Sequence, residues 1–340
     1  MSSQWQTLEF PARNFLKSNG FQEDFIKQNT PVTFFTKFVF RFRQKIELPD
    51  HAEMHYEKDY HVLAMKHIDL ALSIKESDSV MLKRLPGFVV RRLERIIKQD
   101  EINTILDKYA DCEGADFHRS IMKEFNITLK VEGLENLPEN RKCFFLSNHP
   151  FGIVDGLILT KTVIEKYGTF KAIGNESFRF IPNLRPYIAL VNPYGMSSKS
   201  YVTELEKVYQ SDVAITHFPA GEVSRRYNGK IQDRPWQKSF ITRSISCQRD
   251  IVPFYFHGRN STMFYGINLV RRALGIKTNI ELALLPRELF LKRNKTIRLT
   301  IGKPISWQKF DTSLPHIKWA QKVKDHVYRL SAPEGIRLDF

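Results

Sequence analysis

Cysteine is scarce in this chain, and its three cysteines are far apart in the sequence. Cys112, Cys143 and Cys247 are the only cysteines among 340 residues, and no two of them have a C-x-x-C spacing. Disulfide frameworks and structural zinc sites use several cysteines at close, regular spacing. We therefore expect neither of them here, and we expect a reducing compartment, the cytoplasm.

Long apolar runs are missing as well. A membrane-spanning helix needs about 20 predominantly apolar residues. The nearest candidates, residues 32–42 and 188–194, are short and are interrupted by Lys37, Arg41 or Pro193. The first residues also lack the basic start and apolar segment of a secretory signal. We expect a chain that is not secreted and does not cross a membrane, although it can still lie on a membrane surface.

Acidic residues are too few to balance the basic ones. The chain has 52 Lys and Arg against 37 Asp and Glu, a net charge of +15. Such an excess favours anionic partners, either nucleic acid or acidic lipid headgroups. Charge alone does not choose between them, but no zinc-finger, helix-turn-helix or RNA-recognition signature supports nucleic acid. The hydrophobic fraction of 42% and charged fraction of 26% are ordinary for a globular protein.

The chain divides by its pattern of apolar residues into two parts. In residues 1–125 they recur mainly at helical spacing, whereas residues 126–340 contain short β-rich runs that alternate with helical stretches. The strand candidates are residues 128–131, 143–146, 189–191, 213–218, 252–256 and 297–301. This alternation predicts an α/β fold, with a mainly parallel (mixed) sheet flanked by helices. A helical N-terminal region precedes the sheet and is expected to pack on it.

Two stretches of the N-terminal region combine basic and apolar residues, at 38–45 and 83–98. The second has six basic residues against one acid, and four apolar side chains share one helical face: Val89, Leu93, Ile96 and Ile97. One interpretation is an interfacial helix that brings residues 1–125 to a membrane surface. The other is an ordinary surface helix whose apolar stripe packs on the core.

The most informative segment is residues 144–156, FFLSNHPFGIVDG. An apolar run typical of a buried strand ends at His149, and a Pro/Gly turn leads to Asp155 and a second apolar run, which should open a helix. An imidazole and a carboxylate therefore share one strand-to-helix loop, where functional residues concentrate. A histidine held by a carboxylate is suited to general base catalysis. We predict that His149 and Asp155 are catalytic.

Two later strand candidates also end in polar residues. Residues 213–218 lead into a tight turn and an acidic and basic cluster, and residues 252–256 lead into a second polar segment. The carboxyl ends of parallel strands meet at one edge of a sheet, and arginines there suit a phosphate or carboxylate. We expect substrate contacts from Asn148, Gly221, Glu222, Arg225, Arg259 and Asn260. His217 and His257 have no metal-ligand spacing, and we predict no metal site.

Together, the blocks at residues 148–156, 218–225 and 251–253 resemble successive motifs of the glycerolipid (lysophospholipid) acyltransferase superfamily. The resemblance extends over about residues 85–305. It is greatest to the bacterial branch labelled hemolysin, which includes acyltransferases of ornithine- and glycine-type aminolipids. Five residues separate His149 from Asp155, whereas four are usual in the wider superfamily. The arginine of the second superfamily block has no counterpart at residues 191–194, which leaves room for a lyso-aminolipid acceptor.

The resemblance implies an O-acyltransferase that moves a long acyl chain from a thioester to the hydroxyl of a lyso-lipid. The donor would be carried by acyl carrier protein or coenzyme A, with no cofactor, and the acceptor would be a lyso-aminolipid or similar to lysophosphatidic acid. His149 would take the hydroxyl proton and Asp155 would orient the ring. The protein would work peripherally, on the anionic inner face of the cytoplasmic membrane, with no nucleic-acid partner.

The sequence also bears on how the acyl group moves. The G-x-S-x-G nucleophile elbow is missing, which favours direct attack without an acyl-enzyme. Ser147 still shares a strand face with His149, so a serine nucleophile is geometrically open. The same base can activate water, which makes a lipid or thioester hydrolase one alternative. A basic nucleic-acid-binding protein is the other.

Overall fold

The structure is a computed structural model of the whole chain. It describes residues 67–76, 83–174, 181–190, 198–275, 279–333 and 340. The basic stretch at residues 38–45 and the candidate spanning segment at 32–42 lie outside the described residues. Among the described residues, no helix combines the length and the apolar character needed to cross a bilayer.

The described residues form helices and strands in alternation. The helices are α1 (Leu70–Glu76), α2 (Gly87–Ile97), α3 (Gln99–Lys108), α4 (Gly114–Glu124), α5 (Ile153–Tyr167), α6 (Ser198–Gln210), α7 (Ser239–Cys247), α8 (Thr262–Ala273), α9 (Leu285–Phe290) and α10 (His316–Arg329). The strands are β1 (Thr128–Glu132), β2 (Cys143–Ser147), β3 (Lys171–Gly174), β4 (Ile188–Leu190), β5 (Ile215–His217), β6 (Arg225–Tyr227), β7 (Lys230–Gln232), β8 (Asp250–His257) and β9 (Thr296–Ile301).

Seven strands form one mixed sheet in the order β1-β9-β8-β2-β5-β3-β4. All neighbours are parallel except β8 and β9, which run antiparallel. β6 and β7 make a separate antiparallel hairpin. The predicted mainly parallel α/β fold is therefore confirmed.

The central strand β2 is buried along all five residues, CFFLS. A parallel strand that is covered on both faces reads as a continuous apolar run, and this explains the pattern at residues 143–147. β2 pairs in parallel with both β5 and β8, with Phe144 opposite Ile215 and Ile251. The carboxyl ends of these three strands consequently meet at one edge of the sheet.

Two apolar cores cover the two faces of the sheet. Phe145 and Phe254 face one core, which also holds Phe117 and Phe125 from the helices that precede β1. Phe144 and Leu146 face the other, which contains side chains of α7 and α10. The predicted boundary between residues 125 and 126 thus falls between α4 and β1, but helices before it share a core with the sheet.

The apolar stripe of α2 also faces this core. Ile97 is buried in it, and Val90 and Leu93 pack against it, whereas Arg91, Arg92 and Arg95 are exposed. Of the two interpretations of residues 83–98, packing of the stripe on the core is the one that the structure supports. What α2 offers to solvent is chiefly basic, together with Phe88, which is 67% exposed.

Candidate active site

His149 follows β2 directly and lies against Asp155. Its Nδ1 is 3.1 Å from Oδ1 of Asp155, a close polar contact without the alignment of a hydrogen bond. The ring stacks on Phe218 at the end of β5, with 3.9 Å between ring centres and 22° between planes. The histidine side chain is 13% exposed and the aspartate side chain is fully buried. The two residues that the sequence predicts to be catalytic therefore meet.

The Asp155 carboxylate organises the loop around it. Oδ2 accepts a hydrogen bond from the Phe151 amide at 2.8 Å, and Oδ1 accepts one from the Gly156 amide at 2.9 Å. Asp155 lies in the first turn of α5, where the helix dipole favours a negative charge. Gly152 takes a φ of +86°, and a Cβ there would lie 2.7 Å from Leu285, so a side chain does not fit. This turn lets the loop bring Asp155 back to His149.

A second carboxylate, Asp233, holds the backbone of His149. Its Oδ1 accepts the His149 amide at 3.2 Å and the Ser224 hydroxyl at 2.5 Å, and Oδ2 accepts the Trp236 indole at 3.0 Å. The Ser224 amide in turn donates to the His149 carbonyl at 2.7 Å. Burial raises the pKa of Asp233. Sequence reasoning missed this residue because it belongs to no motif and follows a short hairpin.

Asn148 extends the sheet and does not line the cavity described below. Its Nδ2 donates to the Phe256 carbonyl at 3.0 Å, and its Oδ1 accepts the Phe256 amide at 2.8 Å. The side chain thereby continues the pairing between β2 and β8 beyond the last residue of β2. The predicted substrate contact is not supported by this geometry, because both ends of the buried amide are engaged by the backbone.

Residues 258–260 hold Phe151 in the loop between His149 and Asp155. Gly258 has a φ of +136°, and a Cβ there would be 2.5 Å from the Phe151 ring. Asn260 is buried and donates from Nδ2 to the Phe151 carbonyl at 3.3 Å. Lys292 lies 4.7 Å from the Phe151 ring centre and donates to the Arg259 carbonyl, and burial lowers its pKa. The Arg259 side chain is exposed. Neither Arg259 nor Asn260 lines the cavity.

Arg225 is part of the scaffold. It is 2% exposed and its Nη2 lies 3.0 Å from Glu281, which also contacts Arg271 at 3.0 Å. Its guanidinium faces the ring of Phe264. The prediction that Arg225 contacts substrate is therefore not supported, because a buried carboxylate and a ring already occupy it.

Glu222 and Gly221 do reach the cavity. The Glu222 carboxylate accepts a hydrogen bond from the Tyr227 hydroxyl at 2.7 Å and lies 3.9 Å from Arg234. Gly221 turns with a φ of +70°, and its amide already donates to the Phe218 carbonyl at 2.9 Å. Glu222 and Gly221 line one cavity together with His149 and Gly152.

The cavity has a volume of about 210 Å³ and is mostly apolar. Helices before the sheet form part of its wall, with Ile102, Leu106, Phe117, Ile121 and Phe125. Further wall residues come from α5, from β3 and from the segment around α9, and they include Leu157, Ile173, Leu282, Leu285 and Leu289. The polar group best suited to chemistry on this wall is the His149 imidazole.

The protonation of His217 and the hydrogen bonding of Ser147 are both defined next to the His149 loop. Burial lowers the pKa of His217 to about 4, so this ring is neutral near pH 7 and adds no charge beside His149. The Ser147 hydroxyl is buried and donates to Oδ1 of Asn148 at 3.2 Å. Within the described ranges no group of three or more His, Cys, Asp and Glu side chains could hold a metal ion.

A family model, two relatives and one solved structure are similar to this chain. A family model described as "Acyltransferase" matches residues 72–332. Two proteins named "Lyso-glycine lipid O-acyltransferase", from Phocaeicola vulgatus and Bacteroides thetaiotaomicron, are each 41% identical over 264 residues, which is 77% of this chain and 95% and 97% of those proteins. A crystal structure of the 1-acyl-sn-glycerophosphate (LPA) acyltransferase PlsC from Thermotoga maritima is similar with a TM-score of 0.42 and 17% identity, covering 71% of this chain and 95% of that one.

Proposed function

The chain belongs to the acyltransferase family, and from this premise we propose that it transfers a long acyl chain from a thioester to the hydroxyl of a lyso-aminolipid. The observation that carries the proposal is His149 on the wall of an apolar cavity, held from behind by the buried Asp155. The acceptor class rests on the two relatives named for lyso-glycine lipid, which this chain matches over nearly their whole length. A glycine lipid is therefore the acceptor to test first.

His149 acts as the general base in this proposal. Its ring accepts the proton of the acceptor hydroxyl as the hydroxyl oxygen attacks the thioester carbonyl carbon. The tetrahedral intermediate then breaks its C–S bond, and the imidazolium returns the proton to the departing thiolate. Asp155 keeps the remaining ring proton on Nδ1 and stabilises the imidazolium, as its 3.1 Å contact with that atom supports. Such catalysis is typically worth ~10²–10⁴-fold.

The developing oxyanion needs a hydrogen-bond donor close to His149. The Gly221 amide is already used by the Phe218 carbonyl. By contrast, no acceptor among the described residues meets the amide of Gly152, which lines the cavity beside His149. We assign the Gly152 amide to this role, since a positioned backbone donor stabilises a tetrahedral oxyanion strongly.

Direct attack, without an acyl-enzyme, fits the state of the nearby hydroxyl groups. Ser147 donates to Asn148, and Ser224 donates to Asp233, so both hydroxyls are engaged away from His149. The acyl chain would lie along the apolar wall, where each buried methylene contributes ~0.8 kcal/mol. Sequestration of the chain also favours a hydrophobic acyl donor over small thioesters.

The basic surface supports an anionic donor carrier and an anionic place of action. α2 exposes Arg91, Arg92 and Arg95, and the whole chain carries a net charge of +15. Such a surface suits an acidic acyl carrier protein, the phosphates of coenzyme A or anionic lipid. We propose that the protein acts peripherally at the cytoplasmic membrane. Nucleic-acid binding is set aside because it leaves the catalytic pair without a purpose.

The test is a product analysis with purified protein. An acyl thioester is supplied with lyso-glycine lipid, with lysophosphatidic acid or without acceptor, and lipids are measured by mass spectrometry. We expect diacylated glycine lipid with release of one thiol per ester formed, and slower reaction with lysophosphatidic acid. Free fatty acid released equally in all three mixtures would instead identify a hydrolase.

A further inference from the structure

Helix α8 exposes several large apolar residues to solvent, whereas its buried side carries Phe264 and Tyr265 together with the polar Asn268 and Arg271. Met263, Leu269 and Val270 on the helix are 39%, 44% and 59% exposed, and Leu274, which directly follows it, is 68% exposed. Met263, Val270 and Leu274 recur at spacings that align them on one side of the helix, and Leu269 flanks them. A surface helix of a globular protein normally keeps its large apolar residues on the side that faces the core, so this second, exposed apolar side is unusual.

Beside Phe264 and Tyr265, the inward side of α8 also carries a polar network. Asn268 is 1% exposed and donates to Glu281 Oε1 at 2.9 Å, and Arg271 lies 3.0 Å from Oε2 of the same carboxylate. Arg225 completes the network from β6. These buried ionic contacts fix the rotation of the helix, because turning it over would expose them and leave Glu281 buried with fewer partners.

Helix α8 packs on elements that form the cavity wall. α8 begins just after β8, whose carboxyl end is at the same sheet edge as His149. α8 and α2 both pack against residues 280–284, and both contribute to a small apolar cluster through Ile267 and Ile96. Leu282 and Leu285 contact that cluster and also line the cavity.

The surroundings of this surface are basic. Arg272 is exposed on α8, and α2 exposes three arginines with Glu94 as its single acid. Exposed apolar side chains flanked by cations match a bilayer interface with anionic headgroups, where the apolar groups enter the acyl boundary and the cations remain at headgroup level. A protein partner would satisfy the apolar residues but gives no reason for the excess of arginine.

We propose that the outward side of α8, formed by Met263, Leu269, Val270 and Leu274, docks on the surface of an anionic lipid bilayer. This proposal rests on the proposed lipid-acylating function only for the choice of a bilayer as partner. Docking there places the cavity and His149 next to the membrane, so that a lyso-lipid and an acyl chain reach the site without crossing water.

The first experiment measures whether the face is open and whether vesicles cover it. In the full chain, Val270→Cys is labelled with a maleimide and read by mass spectrometry, with vesicles of phosphatidylethanolamine and phosphatidylglycerol or without them. We expect rapid labelling in solution and strong protection with vesicles. The matched control is Leu134→Cys, because Leu134 is 55% exposed and follows β1, which points to the opposite sheet edge.

Three labelling outcomes would contradict the proposal. Slow labelling of position 270 without vesicles means that another part of the chain or a second copy covers the face, and this overturns the proposal. Equal labelling of position 270 with and without vesicles overturns it too. Protection at both 270 and 134 indicates unspecific adsorption and counts against the assigned surface.

The second experiment measures vesicle binding by flotation. The double variant Val270→Glu/Leu274→Glu replaces exposed apolar groups by charge, and we expect its partition to vesicles to fall at least about tenfold. Leu134→Glu should float like the wild type. Thermal unfolding verifies the fold of both variants. Flotation of the double variant at the wild-type level would overturn the proposal.

Activity separates this surface from the chemistry. With a detergent-dispersed acceptor the double variant should keep wild-type transfer, because none of its changes touches the cavity, while transfer to acceptor held in vesicles should fall with flotation. If the wild type transfers no acyl group at all, the proposed function fails, yet labelling and flotation still decide the docking surface.

Discussion

Replacing Asp155 by asparagine tests the structural and the catalytic duties of this carboxylate together. Each carboxylate oxygen accepts one backbone amide, from Phe151 and from Gly156, and Oδ1 also contacts His149. An asparagine side chain has one oxygen and one NH₂ group, so one of the two amides then faces a donor. A buried amide left without an acceptor costs about 1–3 kcal/mol of stability. Loss of the charge at the start of α5 adds about 0.3–1 kcal/mol.

The effect on the rate should be larger than the effect on stability. The neutral amide of the Asp155→Asn variant cannot hold a charged imidazolium as the carboxylate does, so the base catalysis worth ~10²–10⁴-fold is mostly lost. This corresponds to about 3–5 kcal/mol in the activation free energy. We expect kcat for transfer to fall by that factor while KM for the thioester changes little, because Asp155 does not line the cavity.

Glu281→Gln is the matched control for this variant. Glu281 is equally buried and bonded but contacts Arg225, Arg271 and Asn268 instead of His149. It should lose stability with kcat within a few fold of the wild type. Denaturant unfolding and steady-state kinetics on both variants give the comparison. A decrease in kcat of less than tenfold for Asp155→Asn would refute its role as the group that orients His149.

Two further predictions follow from neighbours of the site. Gly258→Ala should reduce kcat strongly with the sheet intact, because its Cβ would lie 2.5 Å from the Phe151 ring at a φ of +136°, and circular dichroism with kinetics checks this; wild-type kcat would contradict the packing described for Phe151. His217 has a folded pKa of about 4 against 6.5 unfolded, so the unfolded chain binds its proton first as the pH falls, and stability should decrease by up to about 3 kcal/mol between those values. Denaturant unfolding of His217→Gln should show a weaker pH dependence over that range, and an unchanged one would refute the assignment.

The sheet and the loop that brings His149 to Asp155 are the parts that the sequence predicts well. β2 is a continuous apolar run because both its faces are covered, and β5 and β8 end in turns that break the apolar pattern. β3 escapes prediction because it is four residues long and lies at no distinctive turn. α8 escapes because apolar residues occur on both its buried and its exposed side, and its buried side also holds the polar Asn268 and Arg271.

Site residues are harder to predict because a polar residue after a strand has two possible directions. His149 and Glu222 face the cavity, whereas Asn148 and Arg225 face the scaffold and bind backbone or a buried carboxylate. The direction in which such a side chain points is set by contacts with distant partners, here Phe256 and Glu281, which the local sequence does not reveal. Asp233 likewise acquires its importance from the chain segments that fold around it.

The central claim is that the His149 ring removes the acceptor proton, and a single variant pair tests it most directly. His149→Ala and, as control, His316→Ala, a partly exposed histidine at the start of α10, are compared in transfer of an acyl group to lyso-glycine lipid. We predict that His149→Ala lowers kcat by ~10²-fold or more with unchanged unfolding, while His316→Ala transfers at the wild-type rate. Transfer by folded His149→Ala at a rate close to that of the wild type would contradict the account.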